Sequence, residues 1–115
     1  MRIVNVTQDR VLADKVQEAY NWKQRLKGLL GQAELKPGEA LFIRPCSSIH
    51  SLFMRFRFDA VFIDKKGKVL HLIQAMKPWR ISKIVFGAWG VLELPEGVLS
   101  ETNTVEGDCL VFHEG

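Results

Sequence analysis

The chain has 115 residues, 47% apolar and 25% charged, with 16 basic and 13 acidic side chains. That length makes one domain, residues 1–115, able to bury roughly 65% of its unfolded surface, and the composition excludes a disordered or fibrous chain. A net charge of +3 and a pI near 9.0 permit an anionic ligand but lack the clustered basic excess that nucleic-acid binding calls for.

The start, Met1-Arg2-Ile3-Val4, has no apolar core of signal-peptide length and no small-residue cleavage site. No run approaches the ~20 apolar residues that cross a bilayer. A cytoplasmic protein with no membrane partner is therefore expected. Arg2 to Val6 and Val11 to Val16 read as the first two strands, with Thr7 to Arg10 as the turn between them. Trp22, Leu26 and Leu29 then recur at helical spacing, which predicts a short helix over 21–28 with Asn21 as N-cap and Gly28 or Gly31 as its stop. Leu35-Lys36-Pro37-Gly38 is a turn, and Ala40 to Ile43 a short apolar strand ended by Pro45.

Met54 to Ile63 alternates with period two. Met54, Phe56, Phe58, Ala60 and Phe62 fall on one side. Arg55, Arg57, Asp59, Val61 and Ile63 fall on the other, a phase that starts at a polar rim and runs inward. Asp64-Lys65-Lys66-Gly67 has hairpin chemistry, with glycine where a left-handed residue is wanted, so Val69 to Met76 should return antiparallel. Ala88 to Leu94 is a further strand, Pro95-Glu96-Gly97 opens a brief helical or turn segment to Asn103, and Cys109 to His113 is the last strand. Strands outnumber helices, and six or seven short strands separated by turns predict a mainly β (α+β) fold: a small antiparallel β-barrel-like domain with one or two short helices, the first plugging one end or lying across one face.

Taken together, these segments resemble the bacterial and archaeal family catalogued as domain of unknown function 192. The resemblance rests on Arg25-Leu26-Lys27-Gly28-Leu29-Leu30, Gly38-Glu39-Ala40-Leu41-Phe42 and Cys46-Ser47-Ser48-Ile49-His50. It continues through Met54, Asp59, Phe62, Ile63, Asp64 and Gly67, then Leu92-Glu93-Leu94-Pro95-Glu96-Gly97 and Gly107-Asp108. Leu30 stands where the family usually has methionine. Arg57 stands where it usually has proline, which frees a backbone N–H and predicts a strand reaching further than in relatives. The resemblance implies a compact, mainly β fold with a short helix and no established activity, so function has to come from the site.

Cys46, His50 and Asp59 contain the parts of a nucleophilic relay. Each also has a structural reading: Cys46 as a small buried apolar group, His50 bonded in its turn, and Asp59 as a buried acid needing a partner. Arg25, Arg55, Arg57, His50 and His71 are the candidate partners, with Arg25 preferred. Lys77 to Lys83 interleaves Trp79 and Arg80 with lysines, a pattern of phosphate or base contact and equally of a wet surface loop. Trp22 and Trp89 read as core, and Glu93 as strand alternation that could meet Lys83 or Arg80. The two cysteines, Cys46 and Cys109, have no zinc spacing; no metal, no cofactor and no disulfide are expected.

The preferred function is a non-catalytic module binding a small molecule or protein through His50, Asp59, Arg25, Trp79 and Arg80, at a mouth formed by Cys46–His50 and the Lys77–Lys83 loop. The alternatives are a small hydrolase or transferase using Cys46, His50 and Asp59 and, behind it, nucleic-acid binding through the Lys77–Lys83 loop.

Overall fold

A computed structural model of the chain describes residues 1–20, 35–52 and 54–114. The helix expected over 21–28, with Trp22 and Arg25, lies outside the described residues.

Strands β1 (Arg2–Asn5), β2 (Arg10–Ala13) and β8 (Leu110–His113) form one sheet in the order β2-β1-β8. Strands β3 (Lys15–Ala19), β4 (Glu39–Ile43), β5 (Phe58–Ile63), β6 (Val69–Met76) and β7 (Gly90–Pro95) form a second, in the order β3-β4-β7-β5-β6. One short helix, α1 (Val98–Glu101), follows β7. The fold is mainly β, as the turn spacing predicts.

Three expectations are corrected. The barrel does not close: among the described residues the two sheets stay open, with a single bridge, Lys68 to Cys109, stitching them together on one side. The segment Val11 to Val16 is not one strand. The N–H groups of Asp14 and Lys15 both donate to the Gly38 carbonyl, at 3.0 and 2.9 Å, and the chain bends there, so β2 pairs with β1 while β3 crosses to the other sheet and pairs parallel with β4. Finally, the Met54–Ile63 run enters its ladder only at Phe58.

The hairpin forms as expected. β5 and β6 pair antiparallel, and the turn between them is held by Asp64, whose Oδ1 accepts the N–H of Lys66 and of Lys68 at 2.9 Å each. Gly67 sits at φ 87°, and a Cβ there would lie 2.2 Å from the Leu110 carbonyl oxygen.

All six residues of β5 are buried, because both faces of its sheet are covered. Phe58, Ala60 and Phe62 join Met54, Ile49, Val85 and Val91 in one apolar cluster; Phe56 packs against it only half-buried. Val61 and Ile63 face the other way, with Leu92, Leu94, Leu99 and Leu110, into the space between the two sheets. α1 lies at the Phe58 end of that space, contributing the buried Leu99. The first cluster is roofed by segments 46–51 and 77–85. The N–H of Ser51 donates to the Arg80 carbonyl, that of Ser82 to Ile49, and that of Val85 to Ser47, each at 2.8 Å.

Candidate functional site

The two segments expected to form a mouth do lie side by side, but as this roof. His50 bridges Ile81, and the Ser82 hydroxyl accepts the Ile49 N–H at 2.9 Å. Within it the Cys46 thiol donates to the Ser48 carbonyl at 3.1 Å, and His50 Nδ1 accepts the Leu52 N–H at 3.3 Å. Trp79 and Arg80 are exposed, Trp79 at a left-handed φ of 62°. Both cysteines are half-buried.

Asp59 belongs elsewhere. It is on the inner phase of β5, 1% exposed, at the end where α1 begins. Its Oδ1 accepts the Ala75 N–H at 2.9 Å; its Oδ2 accepts the N–H of Gly97 at 3.1 Å and of Leu99 at 2.9 Å. The Ala75 amide is available because β6 carries one extra residue opposite Asp59, a bulge with Ala75 at φ 53°. Thus the acid is buried as expected, but its bonds go to three backbone amides rather than to His50, or to His71, which lies 3.6 Å from Glu106. Its preferred partner, Arg25, is outside the described residues. Glu93, read as simple alternation, is fully buried in β7.

A second constellation, at the Ile63 end of the inter-sheet space, went unnoticed in the sequence. Phe42, Trp89 and Phe112 come together from β4, the approach to β7, and β8. Phe42 stands 5.8 Å from Trp89 and 4.8 Å from Phe112, centroid to centroid. Gly90 makes room for this packing, since a Cβ there would fall 2.7 Å from the Phe42 ring. The Arg44 guanidinium lies 5.4 Å from the Trp89 ring centre, 5.5 Å from Tyr20 and 5.9 Å from Phe42, within cation–π range of all three. Its Nη2 is 3.4 Å from Glu18 Oε1. A hydrogen bond with the Tyr20 side chain, then the Glu18 charge, hold the guanidinium above its ordinary pKa. Among the described residues no acceptor reaches the Arg44 Nε–H, which is buried.

Glu18, Phe42, Arg44, Trp89 and Phe112 line a cleft of about 420 Å³, rimmed by Lys65, Lys66, Asp64 and Glu114. That volume is in the range of small-molecule sites. Each ring reads in sequence as core, and Arg44 as the polar end of a strand. The only signal was an arginine directly after Ala40-Leu41-Phe42-Ile43. Among the described residues no group of three or more His, Cys, Asp or Glu could hold a metal ion.

A family model described as "Uncharacterized ACR, COG1430", DUF192, matches residues 3–112. The UPF0127 protein of Pyrococcus furiosus is 31% identical over 117 residues, covering 96% of this chain and 97% of that protein. The UPF0127 protein of Thermococcus sibiricus is 31% identical over 111 residues, covering 92% and 71%. Among solved structures, a protein of unknown function from Novosphingobium aromaticivorans superposes with a TM-score of 0.80 over 96% of this chain and 82% of its own, at 17% identity, a likeness of fold alone. With the match running from the first strand to the last, the chain belongs to the DUF192 family.

Proposed function

We propose that the chain is a non-catalytic binding module that takes a small anionic molecule in the Arg44 cleft. The observation that carries this reading is the Arg44 guanidinium at the cleft wall, its side chain still 32% exposed. An accessible guanidinium set among aromatic rings is a natural donor to the oxygens of a carboxylate or phosphate. Trp89 and Phe112 supply flat apolar walls for the rest of the ligand, and Lys65 and Lys66 add point charges at a rim they share with Asp64 and Glu114.

Isothermal titration with inorganic phosphate and with benzoate as probes tests it. Both should bind, benzoate more tightly because its ring reaches the aromatic walls, and Arg44→Met should weaken both at least about tenfold. Absence of binding by either probe, or binding indifferent to Arg44→Met, would refute the reading. The hydrolase or transferase alternative has no comparable support, because both oxygens of Asp59 are engaged by backbone amides.

A further inference from the structure

Apart from the cleft, the roof carries, among the described residues, the most exposed large apolar side chains in one short stretch. Trp79 is 57% exposed, Ile81 72%, Ile84 61% and Phe86 92%. Arg80 and Lys83 stand between them and Lys77 just before, all exposed. From residue 65 to residue 92 the sequence contains no aspartate or glutamate, while Lys65, Lys66 and Lys68 add to the positive charge. Four large apolar side chains so exposed within eight residues are uncommon on a protein with no partner for them.

The stretch is also held rigidly. Its backbone is bonded to segment 46–51 at Arg80, Ser82 and Val85, and bridged at Ile81. Val85 is buried, and its neighbours Ile84 and Phe86 are both exposed. The apolar side chains are therefore presented on a fixed frame with cations around them.

From this we infer that segment 77–86 docks on an anionic lipid surface, inserting Ile84 and Phe86 among the acyl chains while Lys77, Arg80 and Lys83 meet the headgroups. Charge complementarity calls for an anionic partner, and the apolar side chains select among such partners. Aromatic rings can stack on bases, but Ile81 and Ile84 have no role against a nucleic acid, whereas a lipid interface takes aliphatic and aromatic groups together with cations that reach back to the headgroups. This is contact with a surface and not a span: among the described residues no helix is long and apolar enough to cross a membrane. It revises the expectation of no membrane partner, which rested only on the lack of a spanning run.

Cosedimentation of the full chain with vesicles of mixed phosphatidylserine and phosphatidylcholine, against pure phosphatidylcholine, tests it. The chain should pellet with the mixed vesicles, release with rising salt, and bind pure phosphatidylcholine weakly. Phe86→Asp and Ile84→Asp should each lower partitioning about tenfold or more, with an unchanged melting curve because both side chains are largely in solvent. Lys83→Glu with Arg80→Glu should remove the preference for phosphatidylserine. No pelleting at low salt, or pelleting indifferent to Phe86→Asp and Ile84→Asp, overturns the inference. So does vesicle-free self-association abolished by Phe86→Asp, which would assign the patch to a second copy of the chain. Oligonucleotide binding lost in the same variants, without vesicle binding, would assign it to nucleic acid and overturn it equally.

Discussion

The Asp59 carboxylate accepts the backbone N–H of Leu99 at 2.9 Å, across forty positions of sequence. A strand residue thereby caps a helix it does not adjoin in sequence. Gly97, the residue at the N-cap position, has no side chain to offer, and α1 would otherwise begin with unsatisfied donors against the core. The same carboxylate receives the Ala75 amide that the β6 bulge releases. One acid thus closes two local irregularities that β5 separates.

Asp59→Asn should therefore be destabilising. An amide side chain presents one acceptor and one donor where three N–H groups converge, so at least one of them faces another donor. Each stranded donor costs about 1–3 kcal/mol. Urea unfolding of wild type and Asp59→Asn at neutral pH should show a lower midpoint with an unchanged slope. An asparagine variant as stable as wild type would mean that the three amides have other acceptors available.

Much of this region was legible in the sequence. The period of two from Met54 to Ile63, with Asp64 and Gly67 after it, fixes the hairpin, and Val61 and Ile63 on the phase of Asp59 show that the acid points inward. Its partners were not legible, because a backbone amide belongs to every residue and leaves no letter in the sequence; a search for a partner looks for arginine and histidine. The break at Asp14 is hidden for a related reason: Val11-Leu12-Ala13-Asp14-Lys15-Val16 is plausible as one strand, and only the distant Gly38 carbonyl bends it. The aromatic wall of the Arg44 cleft assembles from three separate segments, in each of which Phe42, Trp89 or Phe112 looks like ordinary core.

Another buried acid, Asp108, ties stability to pH. Asp108 is 4% exposed; desolvation acts to raise its pKa, but donation from Asn5, from the Val105 N–H and from Gln8 outweighs this and holds the carboxyl below its ordinary value. The bonds are 3.0 Å from Asn5 Nδ2, 3.0 Å from Val105 N, and 3.1 and 3.3 Å from Gln8 Nε2. A carboxylate depressed in the folded state stabilises fully above the unfolded value, and that stability is lost as pH falls through the folded one. Melting temperatures of wild type should accordingly drop below about pH 4, whereas Asp108→Asn, already less stable at neutral pH, should show a smaller drop over the same interval. Parallel curves for the two proteins would remove Asp108 from the acid transition.

The last prediction separates backbone conformation from steric contact, using two glycines in nearly the same conformation. Gly67 has φ 87° and Gly107 φ 93°. An alanine at either must adopt the left-handed region, which costs roughly 1–2 kcal/mol. Their surroundings differ. A Cβ at Gly107 meets nothing within 4 Å, while one at Gly67 would lie 2.2 Å from the Leu110 carbonyl oxygen. That oxygen belongs to backbone in β8, and the Leu110 N–H donates back to the Gly67 carbonyl at 2.8 Å, so the two chains cannot separate without breaking the contact between the sheets. Gly107→Ala should therefore lose about 1–2 kcal/mol, the conformational cost alone. Gly67→Ala should lose distinctly more, because the β5–β6 turn must move away from β8. Chemical denaturation of both variants measures the difference directly. Equal losses at the two positions would show that the turn yields freely, and that the Lys68–Cys109 stitch between the sheets contributes little to holding them together.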